Sequence, residues 1–199
     1  MSFFNQTMTT LTYPFTEEQT RPLTVGTPVW VNGLVFTGRD RLHKFLHEGG
    51  ASPVELKDSA IYHCGPVTVQ ESDGSWRVVA AGPTTSVREE PYMAGILARC
   101  GVRVVIGKGG MGAATREACQ RYGCVYLQAV GGAAVLLADR IRAVREVHFL
   151  EEFGAAEAMW GLEVAGFEAV VAMDTHGGSL YDDVAAQSRR ELDRLLGKA

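Results

Sequence analysis

The residues of this chain that could do chemistry gather in two short stretches. Gly82-Pro83-Thr84-Thr85-Ser86-Val87-Arg88 brings hydroxyls and a guanidinium, and Gly107-Lys108-Gly109-Gly110-Met111-Gly112 brings an ammonium among glycines. The first follows an apolar segment at residues 76–81. It precedes a helical pattern in which Met93, Ile96, Leu97 and Cys100 share one face. Strand-to-helix turns of this kind are where α/β sheets place their ligands. Proline fits the first turn of a helix but breaks its interior, so Pro91 predicts a helix beginning there and leaves residues 84–90 irregular. That segment is either aimed at a ligand or engaged locally, because Ser86 and Glu89 have the spacing of a capping box. Local chemistry by itself favours the second.

In the second stretch Gly107, Gly109 and Gly112 satisfy G-x-G-x-x-G after an apolar run. A dinucleotide fold also needs an acid about 20 residues further on. Residues 127–132 contain none. A P-loop needs Ser or Thr directly after its lysine, and Gly109 follows Lys108. What remains is a lysine on a glycine-rich turn at a helix N-terminus, a receptor for carboxylate or phosphate. A nucleotide-binding oxidoreductase using residues 107–112 stays as an alternative. Two weaker candidates read as structural. His43 and His47 have a zinc-capable spacing, but Lys44 stands where HExxH needs glutamate, which makes them helix-surface histidines. His63 and Cys64 are neighbours in a strand and point to opposite faces, which makes Cys64 a core residue rather than a nucleophile.

Elements able to position these groups follow from the apolar pattern. Strands are predicted around residues 25–36, broken at Pro28 and Asn32-Gly33, and at residues 60–67, 102–106, 124–130, 144–150 and 169–173. Helices are predicted after Asp40, after Pro91, after Gly112 and near the C-terminus, and Met159 and Trp160 pack from the linker at 151–163. Residues 1–21 are polar and threonine-rich and predict an N-terminal arm; residues 22–199 predict one domain. With 199 residues, 46% hydrophobic and 21% charged, the composition is that of a globular chain. A net charge of −4 argues against nucleic acid as partner, and no apolar run reaches membrane-spanning length. The N-terminus lacks a secretory pattern, and four cysteines without a CxxC pair suit a reducing cytoplasm.

Read together, the short motifs gain specificity. Gly82-Pro-Thr-Thr-Ser-x-Arg88 with Pro91-Tyr92 and Ile106-Gly-Lys-Gly-Gly-Met111 occur with Thr37-Gly-Arg-Asp-x-x-His43, His63-x-Gly-Pro66 and Met173-Asp-x-x-Gly177. In this order they resemble the beta subunit, equivalent to the C-terminal domain, of the iron–sulfur class I fumarases and L-tartrate dehydratases. The sequence departs from that pattern at Glu89, where methionine is expected, and at Met93-Ala94. The resemblance implies an α/β fold, a single swivelling β/β/α-type domain with a mixed sheet flanked by helices. It implies a cytoplasmic hetero-oligomer with a larger alpha subunit, which supplies three cysteines to a 4Fe–4S cluster. This chain then contributes no cofactor or metal ligand. The implied reaction is reversible hydration of a C4 dicarboxylate, fumarate/L-malate first and L-tartrate as the alternative. Arg39, Arg88 and Lys108 match the family's substrate-binding positions, and Thr84 matches its proposed catalytic base. Thr85 and the Gly109 and Gly110 amides become supporting donors. A non-catalytic assembly subunit, with Arg88 and Lys108 at an interface, is the remaining rival.

Overall fold

Alternation at period two sorts the apolar residues of three short strands into two cores. The structure, a computed structural model, describes residues 8–197. In β3 (Ala60–His63), β6 (Val104–Gly107) and β7 (Val125–Gln128), Ala60, Tyr62, Val104, Ile106, Val125 and Leu127 join one buried cluster. Ile61, Val105 and Tyr126 join the other. Adjacent strand residues face opposite sides, so these strands are covered on both faces, as parallel strands are.

β2 (Pro28–Gly38), β3, β6 and β7 are mutually parallel neighbours. They are connected through α2 (Asp40–His47), α3 (Glu90–Cys100) and α4 (Ala113–Tyr122). The 15-residue β9 (Met159–Met173) returns antiparallel and pairs with both β7 and β2, closing the sheet into a barrel-like ring. Trp160, Leu162 and Val171 of β9 fill the ring with Val29, Val31 and Val35 of β2. Leu42 and Leu46 of α2, Met93, Ile96 and Leu97 of α3, and Cys119 of α4 cover its outer face. β1 (Thr9–Thr12) pairs with β2 and β8 (Ile141–His148) with β9. The result is an α/β fold, a mixed sheet flanked by helices, of the swivelling β/β/α type that the motifs imply. No helix among the described residues is long and apolar enough to cross a membrane.

Several expectations change. The break predicted at Pro28 is where β2 begins, but the one predicted at Asn32-Gly33 is absent, because β2 runs unbroken beside β9 and accommodates a bulge between Val31 and Gly33. Gly33 has φ of 92°, a conformation glycine adopts without steric cost, so Asn-Gly serves a bulge here and not a turn. β9 begins ten residues before the predicted strand start, at Met159, and Trp160 is fully buried in it. Of the segment expected as an arm, residues 1–7 lie outside the described residues. Beyond them, β1 and α1 (Glu17–Thr20) pack onto the sheet, with Leu11 and Phe15 fully buried.

Candidate active site

Gly38, His63, Gly107 and Gln128 end the four parallel strands at one rim, and predicted residues follow directly after two of them, Arg39 after Gly38 and Lys108 after Gly107. Arg39 is the N-cap of α2. After β3 the chain makes a separate hairpin, β4 (Val67–Gln70) against β5 (Trp76–Ala80), which pairs only with itself. The strand preceding the Gly82–Arg88 stretch is therefore outside the main sheet, contrary to the expectation. The chain nevertheless returns to the rim, where Pro83 bridges Cys64 and the Thr84 N–H donates to the His63 carbonyl at 2.7 Å. Thr85 then bridges Lys108 in parallel, and the Ser86 N–H donates to the Lys108 carbonyl at 2.9 Å.

Asp40 joins the two arginines. Arg88 donates Nε to Oδ1 at 3.1 Å and Nη2 to Oδ2 at 2.8 Å. Arg39 Nη2 lies 4.0 Å from the same Oδ2, and its Nε lies 3.5 Å from Glu157 Oε1. The Arg88 side chain is 54% exposed, and these bonds do not use its Nη1. Arg39 and Arg88 thus meet through one carboxylate, while Thr84, Thr85, Lys108 and Gly109 adjoin through backbone pairing. Lys108 is half-buried, and Thr85 and Gly109 are exposed.

Beneath this surface lies a polar cluster that sequence reasoning missed. Ser86 is buried and forms no capping bond; its Oγ accepts from the Lys108 N–H at 3.1 Å and the Tyr126 hydroxyl at 3.0 Å. Its own proton therefore goes to His63 Nδ1, 2.9 Å away, and His63 carries its proton on Nε2. His43 is fully buried rather than on the helix surface, and its Nδ1 donates to the Arg39 carbonyl at 2.8 Å. The two rings stand edge to face, 4.9 Å apart. Glu89, also fully buried, places Oε2 3.6 Å from His43 Nδ1. Burial lowers His43 to about 4 and, with His43 adjacent, takes His63 well below the imidazole range. Burial, reinforced by the Asp40 charge, raises Glu89 to about 8. The available signal was alternation: His63 and Gly107 share the helix-facing side with Ile61 and Val105. Gly107 is required there, since a Cβ would stand 1.8 Å from Ser86 Oγ.

The glycine loop is occupied by the chain itself. Glu90 accepts from the Gly112 N–H at 2.7 Å, the Thr115 N–H at 3.2 Å and the Thr115 hydroxyl at 2.7 Å. Donors that a pyrophosphate needs at the α4 N-terminus already hold a carboxylate, which removes the anchor of the nucleotide alternative. Cysteine chemistry is equally restricted. Cys64, Cys119 and Cys124 are buried and Cys100 half-buried, all free, and burial pushes Cys64 up to about 12. Among the described residues no three His, Cys, Asp or Glu side chains are grouped to hold a metal, so this chain's cysteines do not fit an iron–sulfur cluster. An apolar groove of about 460 Å³ lined by Val130, Leu136 and Leu137 contains none of the predicted residues.

A family model described as "Fumarase C-terminus" matches residues 4–184. A protein of Geobacillus stearothermophilus named "Putative fumarate hydratase class I" is 52% identical over 186 residues, covering 94% of this chain and 36% of that protein. A "Putative L(+)-tartrate dehydratase subunit beta" of Methanocaldococcus jannaschii is 38% identical over 187 residues, covering 92% of this chain and 95% of that one. The "L(+)-tartrate dehydratase subunit beta" of Escherichia coli K12 is 37% identical over 172 residues, covering 85% of each. The chain thus spans about a third of its Geobacillus relative (36%) and most of the other two.

Proposed function

This chain belongs to the Fumarase C-terminus family, and we propose that it is the beta-type subunit of a two-subunit hydro-lyase acting on a C4 dicarboxylate. Fumarate/L-malate is the first substrate reading. The observation that carries the proposal is the pairing of Arg39 and Arg88 around Asp40 at the strand rim. Arg88 already grips Asp40 by two parallel bonds, the fork geometry that suits a substrate carboxylate. Lys108, Thr85 and the Gly109 amide add charge and donors from the adjoining segment. Thr84 takes or relays the proton; its hydroxyl is a weak base and needs a positive field, which Lys108 on the next turn supplies.

The chemistry is incomplete in this chain. The Geobacillus relative is more than twice as long, and the two relatives of matching length are named as beta subunits. The missing portion belongs to an alpha subunit, which holds the 4Fe–4S cluster. Buried cysteines scattered over separate elements cannot take that part here. Four free thiols fit a reducing cytoplasm, and a higher hetero-oligomer is the assembled form. L-tartrate is the second substrate reading, favoured by the names of the two relatives of matching length. Anaerobic co-expression with the alpha subunit, followed by assays of fumarate hydration and tartrate dehydration, tests both. Turnover of fumarate is expected; a folded complex that turns over neither acid would refute the hydro-lyase reading.

A further inference from the structure

The cluster of Glu89, His43, His63 and Ser86 touches every segment of the rim. His43 holds the Arg39 carbonyl, Ser86 holds the Lys108 amide, and His63 holds the Thr84 amide through its own carbonyl. Glu89 directly follows Arg88 and ends the short 3-10 turn Ser86–Glu89. His43 Nε2, His63 Nε2 and both Glu89 oxygens are buried without a hydrogen-bond partner among the described residues. Bare polar atoms of this kind are costly, so their number at one place demands an explanation.

The donor and acceptor inventory supplies it. His43 Nε2 is a lone pair lacking a donor, and His63 Nε2–H is a donor lacking an acceptor. Glu89 approaches His43 at Nδ1, 3.6 Å away, and that nitrogen already donates to the Arg39 carbonyl. The buried carboxyl therefore has no donor to offset a charge and is least costly as the neutral acid. We propose that Glu89 is a positioning residue that works as a neutral acid, and that through the buried His43, which holds the Arg39 carbonyl, it fixes the Arg39 and Arg88 segments in mutual register. The proposal rests on the reading that those arginines hold the substrate.

The groups facing Glu89 are Asp40 and His43 from α2 with Arg39 at its cap, Arg88 on its own turn, and Glu157 before β9. Asp40 and Glu157 oppose a charge on Glu89, and Arg88 and Arg39 favour it. Once ionised, Glu89 competes with Asp40 for Arg88 and loosens the surface pair.

The test uses the full chain with carbon-13 in glutamate carboxyls and nitrogen-15 in arginine side chains. The Glu89 carboxyl should titrate near pH 8, and the Arg39 and Arg88 Nε signals should move with the same midpoint. In the enzyme assembled with its alpha subunit, the KM for fumarate should rise above that midpoint by about tenfold per pH unit, as one proton dictates. Glu89→Gln should abolish the coupled transition and flatten the KM profile. A Glu89 midpoint in the ordinary carboxylate range, or arginine signals indifferent to it, overturns the proposal, and the wild-type titration decides this even if the variant does not fold. Failure of the substrate reading looks different: fumarate then moves neither arginine signal in the assembled enzyme, while the Glu89-coupled transition persists.

Discussion

Arg88 and Thr84 sit four residues apart in one segment and are expected to fail in different ways. Arg88→Ala removes a charge-assisted contact from a half-exposed site and leaves the buried cluster untouched. In the assembled enzyme it should cost about 1.5–3 kcal/mol of substrate binding, read from KM or equilibrium titration, with the fold intact by circular dichroism. Thr84→Val keeps the shape of the loop and the Thr84 amide bond to His63. If Thr84 moves the proton, turnover should drop by about 10²–10⁴ while much of the affinity remains. Near-normal kcat in a fully assembled variant would return Thr84 to a structural role. Glu89 has a third signature, in stability. Its carboxyl is raised from 4.5 to about 8, so between those values the folded chain holds a proton that the unfolded chain has released. Stability therefore falls with rising pH across that window, by about 1.4 kcal/mol per unit. His43, lowered to about 4, acts in the opposite sense and removes stability as pH falls below 6.5. Urea unfolding of Glu89→Gln against the wild type should show the variant gaining relative stability from pH 5 to 8.

At the scale of elements, the β6–α4 connection carries the most constraint. Ser86 Oγ approaches Gly107 where a side chain would stand, and the same oxygen serves His63, Tyr126 and the Lys108 amide. Gly107→Ala must push Ser86 away, and overpacking of this kind costs about 1–3 kcal/mol. The shift should appear in urea denaturation of the isolated chain, with slowed turnover in the complex because the Thr84–Arg88 segment moves with Ser86. Dinucleotide spacing at this connection was legible in the sequence, but its use was not. Glu90, at the start of α3, fills the α4 N-terminus, and which carboxylate reaches a helix end depends on how two helices pack. Ser86 and Glu89 show the same limit. Their spacing fits a capping box, yet burial beside His63 and His43 turns both side chains away from the helix end.

For the whole molecule, the division of labour makes a direct prediction. The purified single chain should fold, catalyse no hydration and carry no stoichiometric iron or sulfide under anaerobic conditions; one cluster bound per chain would overturn the two-subunit reading. Sequence alone determined what depends on local pattern. Apolar runs identified β3, β6 and β7, Pro91 marked the start of α3, and the order of the short motifs singled out Arg39, Arg88 and Lys108. Tertiary structure decided what depends on distant partners. β9 closes the ring and keeps β2 straight through Asn32-Gly33, because pairing along both halves of β2 outweighs a local turn preference. The β4–β5 hairpin is set apart although β5 reads as a sheet strand, since alternation says which face is buried but not which strand it pairs with. His43 reads as a surface residue from its own helix alone; the His63 ring, brought against it by the pairing of β2 with β3, makes it buried.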